Sequence, residues 1–158
     1  MREILFRGKP KNELIDWVYG YYFYSELTCK HCIMGESKDY GYTCIEVIPE
    51  TVGQYTGLKD KNGTKIFEGD IIEFFGMRGE VVQECGAFGA AVMPRIDYDL
   101  LESKIPFNNN ADFCFNDNFI SLWELWENYE QDDNPLYAAE VIGNIHDNPE
   151  LLNAEDGL

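Results

Sequence analysis

"TVGQYTGLKDKNGTKIFEGDIIEF", residues 51–74, alternates polar and apolar residues around Asn62-Gly63, and places Gly69-Asp70 before an apolar run. Asn-Gly between alternating segments is a strong hairpin signal, because both residues tolerate the positive φ of a type I′ turn. The stretch therefore predicts two strands and a turn, then a third strand over Asp70–Phe75. It contains no nucleophile–base pair and no phosphate loop. Gly53, Gly57, Gly63 and Gly69 read as backbone corners of a small barrel. The competing reading is a loop presenting Lys59, Asp60, Lys61 and Asn62 to a partner; turn chemistry alone explains the residue choice.

Outward from this stretch the chain continues to read as strands. "REILFRG" alternates and predicts an opening strand. "DWVYGYYFYS" (Asp16 to Ser25) predicts a second, aromatic on both faces. Further strands are expected near "CIMGES" and over "YTCIEVI" (Tyr42 to Ile48). After Phe75, "MRG" (Met77 to Gly79) reads as a turn. "EVVQECGAFGAAVM" reads as one long strand or two bent at Gly86 or Gly89. Residues 94–118 read as irregular, ending in the polar run at 108–112. Over Phe119–Glu130 the period becomes helical, with Ser121 and Glu124 placed for a capping box and Trp123 and Trp126 on the apolar line. "LYAAEVIGNI" reads as a closing strand, and "DNPELL" as a short terminal helix.

The 158 residues are 45% hydrophobic and 15% aromatic, ample for a core. No apolar run approaches the roughly 20 residues that span a bilayer. The opening "MREILFRGKPKNE" turns charged too soon for a signal peptide, so the expected location is the cytoplasm, without membrane association. Five cysteines at uneven spacing fit reduced thiols.

The formal charge is −17. From Ile105 to Leu158 there are 12 acidic residues and no Lys or Arg, which leaves −5 for the first 104. Phosphate binding requires Lys and Arg to displace counterions, so direct nucleic-acid binding is disfavoured. A basic partner, a cation or simple solubility is favoured instead.

Four constellations bear on chemistry. Cys29-Lys30-His31-Cys32 has the spacing of a zinc clasp, with Cys44 or His31 as a third donor. A structural zinc needs four ligands and no second pair exists, so incidental reduced thiols are the plainer reading. Cofactors are not expected. The acidic pairs Asp97 with Asp99, Glu127 with Glu130, and Asp132 with Asp133 read as solvated charge. Trp123 and Trp126, at helical spacing, read as core. His31 and His146 stand in no nucleophile motif, so no catalytic residues are expected.

Two stretches together carry a family resemblance: "TVGQYTGLKDKNGTKIFEGDII" and "EVIGNIHDNPELL" (Glu140 to Leu152). "REILFRGK" and "WVYGYY" (Trp17 to Tyr22) add to it. The chain resembles the YopX family of small phage and prophage proteins over most of its length, excepting roughly 25–42 and 94–118. "CKHC" departs from the family pattern. The resemblance implies a mainly-β (β-rich α+β) fold, with a small SH3-like barrel in the C-terminal part, an N-terminal β extension and one or two short helices. It implies no activity. The expected division is 1–50 as the N-terminal β region and 51–158 as the barrel domain, with an inserted loop and helix at 94–130.

Three functions follow as expectations. The first is a non-catalytic, self-associating interaction module, a homo-oligomer in a phage or prophage context. The second is an acidic mimic of DNA that inhibits a basic nucleic-acid-binding protein, with Glu124, Glu127, Glu130, Asp132 and Asp133 on its face. The third is a zinc or thiol protein using Cys29 and Cys32.

Overall fold

The structure, a computed structural model, describes residues 3–37, 41–93, 95–104, 118–127 and 139–153. It is mainly β: two antiparallel sheets and three short helices. The chain divides into two compact units, Met1–Gly57 and Leu58–Leu158.

The first unit holds β1 (Phe6–Gly8), β2 (Val18–Ser25), β3 (Lys30–Ser37) and β4 (Gly41–Glu46), then a 3-10 turn at Pro49–Thr51. β5 (Gly53–Lys59) runs through the division, and β6 (Lys65–Phe67) follows it. The first sheet has the order β4-β3-β2-β1-β5-β6. Alternation along β2 separates Val18, Gly20 and Tyr22 from Tyr19, Tyr21 and Phe23. Val18 and Tyr22 join Ile33 and Val47 in a small core, packed by Phe6, Ile15, Ile45 and Val52. A bridge between Pro10 and Val47 returns the chain after β1 to the end of β4. Gly20 and Gly35 are required here: a Cβ on Gly20 would strike the Met34 carbonyl, and one on Gly35 the Tyr19 carbonyl.

The second unit holds β7 (Asp70–Phe74), β8 (Met77–Glu84) and β9 (Ala87–Val92). Then come α1 (Tyr98–Lys104), β10 (Phe119–Ser121), α2 (Leu122–Glu127), β11 (Ala139–Asn144) and α3 (Glu150–Asn153). Its sheet order is β10-β9-β8-β7-β11. Ile72, Phe74, Val81, Ala90, Leu101, Ile120 and Leu122 are among its buried core.

Several expectations are corrected. The turn after β7 is Phe75-Gly76, with φ of 50° and 82°, and Met77 to Gly79 already belong to β8. The long apolar stretch follows the two-strand reading with its break at Gly86: the strands are joined at Cys85-Gly86, with φ of 48° and 81°. Both are two-residue turns of the type I′ kind, whose twist matches that of the flanking strands. Gly89 is not a bend: a Cβ there would strike the Phe119 ring and the Ile120 carbonyl, so glycine admits β10 beside β9.

The helical reading of Phe119–Glu130 begins too early, because Phe119–Ser121 pairs with Gly89–Ala91 as a strand. The irregular reading of 94–118 missed α1, where the Asp97 carboxylate accepts the Leu100 N–H at 3.0 Å as a cap. Among the described residues three short α-helices are present where one or two were expected. Among the described residues the second sheet is open, and no closed barrel is found; its outer strands β10 and β11 lie at opposite margins. The polar run at 108–112 lies outside the described residues.

Candidate functional site

The loop singled out at Lys59–Asn62 is built differently from its type I′ expectation. Asn62 does not have positive φ; Gly63 does, at 82°. Gly63 N–H donates to the Asp60 carbonyl at 3.0 Å, and Asp60 N–H to the Thr64 carbonyl at 2.8 Å. This is a type I turn followed by a left-handed glycine, the longer hairpin loop. Asp60 organises it. Its Oδ1 accepts from the N–H groups of Asn62 and Thr64, each at 2.8 Å, and Oδ2 from Val141 N–H at 3.0 Å. Asp60 is 1% exposed, so it is turned inward and not offered to a partner.

The same loop is fixed to β11 by Lys61 N–H donating to the Ala139 carbonyl at 3.0 Å, and by a 2.5 Å ion pair from Lys61 to Glu140. That carboxylate raises the Lys61 pKa. Lys59 and Asn62 are exposed. A second inward carboxylate, Asp70, accepts the Phe67 N–H at 2.7 Å. Gly69 donates to the Val81 carbonyl, and its own carbonyl accepts from Ile145. The Asn144 side-chain oxygen accepts from the N–H groups of His146 and Asp147, both at 3.0 Å. The two most distinctive stretches of the sequence are thus halves of one hydrogen-bonded joint.

The cysteine pair does not converge. Cys29 sits exposed at the β2–β3 tip with φ of 52°, while Cys32 is buried on β3. Burial, reinforced by a hydrogen bond with Cys44, pushes the Cys32 thiol pKa up. His31 lies on the opposite face of β3, where Nδ1 and the Tyr22 hydroxyl share a 2.6 Å hydrogen bond. Among the described residues no three His, Cys, Asp or Glu side chains gather to hold a metal.

Of the acidic set, Glu124 completes a capping box. Its carboxylate accepts the Ser121 N–H at 3.0 Å while Ser121 Oγ accepts the Trp123 N–H at 3.1 Å. Glu127 lies at the end of α2; Glu130, Asp132 and Asp133 lie outside the described residues. Trp123 is corrected from core to surface at 51% exposed, because Leu122 and Leu125 take the buried side of that short helix.

What sequence reading underrated is the outer face of β2–β3–β4. Register places Tyr21 opposite Met34 and Met34 opposite Cys44, with Tyr19 and Tyr42 on the same side. Tyr19, Tyr21 and Tyr42 are exposed, and Met34 is 39% exposed. Single exposed apolar residues are ordinary, whereas Tyr21, Met34 and Cys44 adjoin one another across three strands. At its margin Glu46 lies between Lys11 and Lys30, at 2.6 and 2.7 Å. Lys11 first and Lys30 second hold its carboxyl below the usual range.

These features define a class: a small two-unit β protein whose inward carboxylates lock turns, with three tyrosines and a methionine exposed on one sheet face. The chain belongs to the YopX family, whose model, described as YopX protein, matches residues 5–153. A search of curated proteins finds no match. No described helix is long and apolar enough to cross a membrane.

Replacing Asp60 by alanine strips three N–H groups of their acceptor. Since hydrogen bonds to a charged group contribute about 1.5–3 kcal/mol each, the expected loss is at least about 3 kcal/mol. Asp60→Asn keeps one carbonyl acceptor and should lose less. Urea unfolding monitored by tryptophan fluorescence measures both, and equal stabilities for D60A and the native chain would refute the role.

Proposed function

We propose that the protein is a non-catalytic interaction module, a cytoplasmic phage or prophage accessory protein that self-associates through its N-terminal unit. The observation that carries this reading is the exposed Tyr19, Tyr21, Met34 and Tyr42 face. Charge supports it as well. Residues 1–57 hold six basic and eight acidic residues, a net −2, whereas 58–158 hold six and 21, a net −15. Apolar contact is favoured where like-charge repulsion is weakest. Sedimentation velocity should reveal an oligomer that persists at high salt. Tyr21→Ser with Tyr42→Ser should shift it toward monomer without loss of folded structure. A native chain that stays monomeric at every concentration overturns the reading.

The net −15 of the second unit favours one further reading, an acidic mimic that occupies a basic nucleic-acid-binding protein. A basic partner retained at low salt should then be released by competing duplex DNA; retention that ignores DNA rejects it.

The finer fold reading, an SH3-like barrel, is supported by the tightly turned β7–β8–β9 meander with β11 on β7. Inter-strand NOEs linking β10 and β11 into one continuous ladder are its expected signature, and an open sheet in solution removes it.

A further inference from the structure

Among the described residues four strands lie at sheet margins: β4, β6, β10 and β11. An unpaired margin is a row of N–H and C=O groups ready to take another strand. Proteins blunt it with shortness, charge, proline or a bulge. β6 and β10 are three residues long. β11 is bulged between Val141 and Gly143 and carries Glu140. β4 has six residues in unbroken register with β3, and from Gly41 to Ile45 it holds neither charge nor proline.

The outward groups of β4 can be assigned. Val47 N–H donates to the His31 carbonyl at 2.9 Å, so Val47 faces β3. By the alternation of an antiparallel ladder, Ile45, Thr43 and Gly41 do the same, and Tyr42, Cys44 and Glu46 turn their backbone groups away. Consistent with this, the Glu46 carbonyl accepts from Lys11 N–H at 3.1 Å, and Ile48 N–H donates to the Lys9 carbonyl at 2.8 Å. The returning segment 9–11 therefore covers the margin from Glu46 onward. The bare length is Gly41–Ile45, beside an open cleft lined by Lys11, Asn12, Ile15 and β4 itself.

We infer that this run pairs antiparallel with the same run of a second copy, across a two-fold axis at Thr43. The inference rests on the self-association proposed above and names its contact. Tyr42 exchanges both backbone hydrogen bonds with Cys44 of the second copy, and Cys44 with its Tyr42. Thr43 meets Thr43 as the closely spaced, non-hydrogen-bonded pair, and threonine pairs are favourable there. Every bare backbone group of the run then has a partner. Sliding the axis to Cys44 would set Tyr42 against Glu46, where segment 9–11 already lies.

A second copy is the fitting occupant on charge. The run is neutral, Glu46 beside it is flanked by two lysines, and each N-terminal unit carries only −2. A pair meeting through the second units would oppose −15 with −15. Edge pairing also joins the two exposed tyrosine faces into one continuous surface, as a two-fold contact requires the same patch from each copy.

The test is Thr43→Cys in the full chain, oxidised gently with glutathione disulfide. Two thiols give one protein disulfide, and the oxidant leaves as two glutathione thiols. The non-hydrogen-bonded position brings Cα atoms to about 4.5 Å, within disulfide range. Peptide mass spectrometry should find a covalent dimer linked 43 to 43. Tyr42→Lys, at a 67% exposed position, should weaken the dimer at least tenfold while leaving circular dichroism unchanged.

A dimer with no 43–43 link, a 44–44 link in its place, or indifference to Y42K overturns the edge pairing and leaves the interaction module standing. A chain monomeric at all concentrations overturns both.

Discussion

The carboxylate of Asp60 sits where water cannot solvate it, and a charge so placed is tolerated only when its lone pairs are filled. Three backbone N–H groups fill them, two from its own turn and one from Val141, 81 residues further along the chain. That geometry fixes the turn, and the turn fixes where β11 runs. β11 in turn pairs with β7, whose Ile71, Ile72 and Phe74 are buried. The joint is specific because it uses backbone groups, which no substitution in β11 other than proline can remove. Gly69 repeats the device one turn later, linking β8 to Ile145, the residue just past β11, through its own backbone.

The joint also explains why two separated stretches carry the family resemblance. Side chains on a small β surface exchange readily, whereas a buried acid that meets three N–H groups, or a glycine at positive φ, has few substitutes. The family model matches residues 5–153, so membership extends well beyond these turns. It does not by itself name a reaction.

Much of the fold was legible. Strand alternation located β2, β4, β7 and β11, Ser121 with Glu124 signalled a capped helix, and Asn148-Pro149 announced α3. The failures have physical causes. Phe75 and Cys85 adopt positive φ that their residue types disfavour, so only the following glycines hinted at those turns. Phe119–Ser121 is too short for its period to be told from that of the helix it leads into, and pairing with β9 decides the matter. Asp60 looked like a surface residue because its third partner lies far along the chain. The tyrosine face was hidden by the aromatic content of both sides of β2: sequence gives the alternation, but not which side has a core to cover it.

The 81-residue span of the Asp60–Val141 contact has a consequence for the order in which the chain acquires structure. In the first unit β1, β2 and β3 each pair with the strand that follows, so those three ladders need only local loop closure and can form as soon as that segment emerges during synthesis. The second unit must wait. Until β11 has been made, β7 presents an unpaired margin and Asp60 lacks its third donor. The protein thus comes off the ribosome with its more neutral, tyrosine-bearing half in place and its acidic half still open. For that interval, the heavy negative charge of the later half disfavours pairing between the open β7 margins of neighbouring nascent chains.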